Sequence, residues 1–172
     1  MGRTRTGKAR VAAMFAAALA VGIAMQPAGA LALTLKEATT VVDLIEALEP
    51  QLGDFAYDDE IAEYWFEEDS YGEGWIAKAG FTAETWNRAL GETMRGFMAL
   101  MPDAEVEATF AGLKQGIEAL PQLTEAQKAE ALAAIDEEIA SFLARRAEGE
   151  PFAPIVKPLE DRLRRLTLDE AE

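Results

Sequence analysis

Residues Gly80–Leu100, "GFTAETWNRALGETMRGFMAL", decide the fold class, because they carry a complete set of helix signals. Gly80 supplies a turn, and Thr82 suits the N-cap, where its hydroxyl can accept a backbone N–H that the first turn leaves unpaired. Phe81, just before the cap, can pack on Trp86 as a hydrophobic staple. Trp86, Leu90, Met94, Phe97, Met98 and Met101 then recur at helical spacing until Pro102 stops the run. Gly91 and Gly96 each cost about 1 kcal/mol against alanine inside a helix, so they predict close helix packing.

The same signals repeat on both sides. Upstream, "TLKE" at Thr34–Glu37 is a capping box. Ala38, Val41, Val42, Ile45 and Leu48 extend it into a helix over about Leu35–Glu49, which Pro50 ends or kinks. A shorter helix is predicted over Asp58–Asp69, with Asp58 and Asp59 complementing its positive end. Downstream, Val106, Phe110, Leu113, Ile117 and Leu120 predict a helix over Asp103–Leu120, closed by Pro121. Thr124 and Gln127 form a second capping box, followed by Leu132, Ile135, Ile139 and Phe142 at helical steps. Arg145 and Arg146 favour that helix's C-terminal end, and Gly149 suits the position just past it.

Residues 151–158 read as a proline-rich linker to a final amphipathic helix with Leu159, Leu163 and Leu166 as its seam. Its outer face carries Arg162, Arg164 and Arg165, a basic patch in an acidic chain. The expectation is that these arginines meet acidic neighbours within the fold, with docking onto a second copy, as a homodimer, as the alternative. No stretch alternates with period two, so the fold class is all-α. A small bundle of about five or six helices is expected, with the third to fifth as its antiparallel core.

The first 32 residues read as a cleaved signal peptide. Arg3, Arg5, Lys8 and Arg10 precede an apolar run, Val11–Met25, and small-residue sites at Ala28–Ala32. The run is shorter than the roughly 20 apolar residues a membrane span needs, so no stable membrane anchor is expected. The remainder, 33–172, reads as one all-α domain destined for the periplasm or the exterior. Cleavage removes four positive charges and no negative ones, taking the net charge from −15 to −19. That charge disfavours nucleic acid and suits cations or a basic partner. With no cysteine, the domain must rest on its hydrophobic core.

No histidine is present, which removes Ser-His-Asp and Cys-His nucleophiles and the usual zinc sites. No glycine-rich phosphate loop follows a strand, and no cofactor is expected. Carboxylates remain, concentrated in "DDEIAEYWFEEDSYGEGW" at Asp58–Trp75. Glu67, Glu68 and Asp69 beside Tyr64, Trp65 and Tyr71 raise a carboxylate-dependent cell-wall glycosidase as one alternative. Laid on a calcium-loop pattern, the segment offers Glu67, Asp69 and Glu73 for a weak divalent cation, but Lys78 stands where the closing bidentate glutamate belongs.

"LTEAQ" at Leu123–Gln127 resembles the LTxxQ motif of small periplasmic helical proteins of the Spy/CpxP type, and the resemblance implies a chaperone-like role. The family repeats the motif, whereas this chain has one copy. The expectation is therefore a non-enzymatic interaction module that receives a basic or unfolded polypeptide. Its candidate binding residues are Tyr64, Trp65, Tyr71, Trp75 and Trp86. Met94, Met98 and Met101, with Phe97, have two readings: an adaptable binding groove or part of the core.

Overall fold

The computed structural model describes residues 33–58 and 60–167; the expected leader and Asp59 lie outside the described residues. In chain order the helices are α1 (Leu35–Leu52), α2 (Ile61–Tyr71), α3 (Trp75–Lys78), α4 (Ala83–Leu100), α5 (Asp103–Ala119), α6 (Glu125–Gly149), α7 (Ala153–Val156) and α8 (Glu160–Thr167). A 3-10 turn, Lys157–Leu159, joins the last two. No strand occurs among the described residues, so the fold is all-α.

The caps form as their sequences predict. The hydroxyls of Thr34, Thr82 and Thr124 each accept the backbone N–H three residues on, and the side chains of Glu37, Thr85 and Gln127 return the bond. The staple forms as well: the Phe81 ring meets Trp86 edge to face, with centroids 5.7 Å apart. Pro50 lies inside the last turn of α1, and the helix runs on to Leu52 before Gly53 closes it at φ 92°.

The centre of the molecule differs from the expectation. α4 is the hub and packs on α1, α2, α6, α7 and α8. The core joins Val41, Ile45 and Leu48 of α1 to Trp86, Leu90 and Phe97 of α4, with Val156, Leu159 and Leu163 from the C-terminal segment. The helices expected to complete an antiparallel core contribute little: α5 buries only Val106, and α6 only Gly149. The proline-rich stretch is folded into α7 and the 3-10 turn, where Val156 is fully buried. Proline fits there because a first-turn residue has no intrahelical use for its N–H. Gly96 makes room for this segment, since a Cβ on it would lie 2.8 Å from Val156 Cγ2.

Gly149 also has another role than the one its position suggested. It is the last residue of α6, and a Cβ there would lie 1.9 Å from the Arg95 carbonyl oxygen. It lets α6 touch the α4 backbone directly. Beside it, Arg146 donates to the carbonyls of Met98 (3.2 Å) and Met101 (2.7 Å) and pairs with Asp103 (2.6 Å). One side chain thus ties the base of α6 to the corner between α4 and α5.

Two of the three C-terminal arginines, Arg162 and Arg164, meet acidic neighbours within the fold, whereas Arg165 is exposed. Arg162 bridges Asp43 (2.8 Å) and Glu46 (2.6 Å) on α1, and Arg164 binds Glu105 (2.8 Å). Hydrogen bonding from Arg162 holds Glu46 below the usual glutamate value of 4.5, and Arg164 does the same for Glu105. A carboxyl depressed by folding stabilises the fold above its unfolded pKa, and that contribution is lost as pH falls through the folded value. Thermal stability should therefore hold near neutrality and decline as pH drops below about 4.5. In an Arg162→Ala, Arg164→Ala variant this acid slope should be shallower; an identical slope in thermal melts would show that these ion pairs contribute nothing. The pairs are partly exposed, so the effect is modest and screened by salt.

Candidate functional site

The aromatic residues singled out by sequence separate into two groups. Trp65 is 1% exposed and Trp86 is fully buried, so neither presents a surface to a partner. This corrects the expectation that they line a binding face. Trp65 packs edge to face on Phe55 at 5.1 Å, and the Trp86 Nε1–H donates to the Ala62 carbonyl at 2.9 Å. Both fill the junction of α2 with its neighbours because large rings there bury the most apolar area. Trp75 is half-buried, whereas Tyr64 and Tyr71 are exposed.

The acidic loop proves to be a helix cap. Asp69 is buried, and its carboxylate accepts the backbone N–H groups of Trp75 (2.9 Å) and Ile76 (2.8 Å) at the start of α3. Its carbonyl accepts from Gly74, which turns the chain at φ 64°. Glu67 instead accepts from the Tyr71 hydroxyl at 3.0 Å, a bond that raises the phenol above its usual range. Glu73 pairs with Lys78 at 3.4 Å. The three residues considered for a cation point to three different partners, and among the described residues no group of three acidic side chains is placed to hold a metal ion. Glu68 is exposed while both oxygens of Asp69 serve backbone donors, so this stretch does not pair two carboxylates across an apolar pocket.

Two openings border the residues singled out by sequence. A cleft of about 780 Å³ lies between α2 and α4, lined by Phe66, Glu67, Tyr71, Glu84, Asn87 and Arg88. The Arg88 guanidinium is already held by Glu37 and Glu92, both at 2.7 Å, so this cation is committed within the fold. The second opening, about 420 Å³, lies where α5 and α6 leave α4. Its wall is almost wholly apolar: Met94, Phe97, Met98 and Met101 of α4 and its C-terminal corner face Phe110 of α5 and Phe142 of α6. The two phenylalanines meet edge to face at 5.4 Å. Met94 and Phe97 are buried, whereas Met101 reaches the mouth. Met94 and Phe97 thus belong to the core, and the whole stripe walls a groove.

Above the groove, α5 and α6 form a hairpin arm. From Glu107 to Glu148 not one residue is buried, although both helices carry apolar stripes. "LTEAQ" lies at the arm's tip, where Thr124 and Gln127 start α6. The spacing of Phe110 and Phe142 marked them as core; that these stripes would be only partly covered, by each other and by the end of α4, was not visible in periodicity. No protein-family model, curated protein or solved structure matches this chain. Among the described residues, no helix is long and apolar enough to cross a membrane.

Proposed function

We propose that the protein is an exported, non-enzymatic interaction module that holds a basic or unfolded polypeptide, with apolar side chains of the client entering the methionine-walled groove. The groove carries this reading. An open apolar cavity of this size, left unfilled by the side chains of the described residues, matches the concave apolar sites that take ligand side chains. Methionines suit varied clients because the unbranched thioether adapts to different shapes at little cost. The leader-like N-terminus supports export, and the net charge of −15 supports a basic client.

The test is to block the groove without touching the core. Thr109 lines it and is exposed, so Thr109→Trp should fill the mouth and leave the fold intact. Calorimetric titration with a permanently unfolded, alkylated polypeptide should show binding to the unmodified protein. The Thr109→Trp variant should bind it at least about tenfold more weakly, a loss of about 1.4 kcal/mol. Equal affinity for both proteins would remove the groove from the account.

A further inference from the structure

We infer that the segment held is a cationic amphipathic helix that lies along the α5–α6 arm and closes it into a three-helix unit; this rests on the proposed reading of the groove. The arm is built as an incomplete bundle. Two helices side by side cover only the seam between them, and here Leu113 remains 47% and Leu120 37% exposed. Thr109 and Leu113 are four residues apart and share one face of α5, and Leu120 follows as the exposed residue that closes the helix, so apolar surface continues from the groove along the arm. A third helix in that position would cover both leucines and place its end residues in the cavity.

Backbone chemistry selects a helix over an extended chain. The arm offers helix faces and no strand edge, so an extended segment lying on it would lose water from N–H and C=O groups that find no partner. A helix satisfies those groups internally and presents side chains only. α5 spans 17 residues, about 25 Å at 1.5 Å per residue, so the docked segment needs four to five turns.

Charge selects the sign. Between Asp103 and Glu150 the sequence carries eleven carboxylates and four cations. Lys114 is already paired with Asp136, Lys128 with Glu125 and Arg146 with Asp103. Among the described residues Glu107, Glu118, Glu130 and Glu138 have no ion-pair partner within the fold. A second copy would bring the same surplus against itself, whereas a lysine- or arginine-flanked helix neutralises it.

Four peptides and one variant decide the matter. An 18-residue leucine-lysine peptide with helical spacing is titrated into the full-length protein, followed by circular dichroism and calorimetry. Its glutamate counterpart, a version with two central prolines and a scrambled version serve as comparisons. The leucine-lysine peptide should gain helicity on binding and bind at least about tenfold more tightly than the other three, more weakly as salt rises. Leu113→Asp, on an exposed site, makes the arm more acidic yet should weaken binding about tenfold, which nonspecific charge attraction would not do. If the proline or glutamate peptide binds equally well through the groove, the helix inference fails and the groove reading stands. If no peptide binds while the alkylated polypeptide still does, the helix inference fails and the groove reading stands; if neither binds, both fail. Sedimentation showing that the arm closes by self-association, with the peptide unable to compete, would assign the face to a second copy and overturn the inference.

Discussion

Replacing Gly149 with alanine is expected to destabilise the protein by about 3 kcal/mol or more, at the upper end of what overpacking costs. The added Cβ would fall 1.9 Å from the Arg95 carbonyl oxygen and 2.3 Å from its carbon. Both are backbone atoms in the middle of α4, so no side chain can rotate away to relieve the clash. The helices must separate, and separation breaks the neighbouring Arg146 bonds to Met98 and Met101. Gly112→Ala is the matched control: nothing lies within 4 Å of its added Cβ, and the residue is exposed on α5. It should stabilise by about 0.5–1 kcal/mol through helix propensity. Denaturant melts of the two variants should therefore move in opposite directions; a loss of less than about 1 kcal/mol for Gly149→Ala would contradict the α4–α6 contact.

Trp86→Ala should cost about 3–5 kcal/mol, the range for removing a large buried ring. The side chain is fully buried, donates to the Ala62 carbonyl and completes the staple with Phe81. Its loss leaves a cavity at the junction of α2 with α4 and removes the ring on which the start of α4 is anchored. Trp75→Ala, at a half-buried ring, should cost clearly less. If urea midpoints moved equally for the two variants, Trp86 would not be the buried anchor described here.

What the sequence disclosed was local. Caps at Thr34, Thr82 and Thr124 and the Phe81–Trp86 staple depend on residues within four or five positions of each other, and they are legible for that reason. Which helices share the core depends on pairing across the chain. Phe110 and Phe142 show the same periodicity as Leu48 or Leu90, yet only the latter pair is buried, because α6 meets α4 at its C-terminal end and nothing among the described residues covers the open side of α5 and α6. The tryptophans failed as site markers for the converse reason: an aromatic ring beside carboxylates reads alike whether it faces solvent or core. Asp69 carried a recoverable signal, an acid followed by a glycine-punctuated loop and a helix start, which is how a buried cap across a tight loop is written.

The central claim is that the groove under the α5–α6 arm takes apolar side chains of a polypeptide. Met94, Met98 and Met101 all wall that groove, and the chain's other methionines, Met1, Met14 and Met25, lie in the leader-like segment. Methyl-labelled methionine therefore gives a direct readout in solution. On titration with the leucine-lysine peptide, the Met98 and Met101 methyl resonances should shift and saturate with the calorimetric affinity, with Leu113→Asp raising the peptide concentration needed. Saturable binding with those two methyl resonances unmoved would place the client elsewhere and contradict the account.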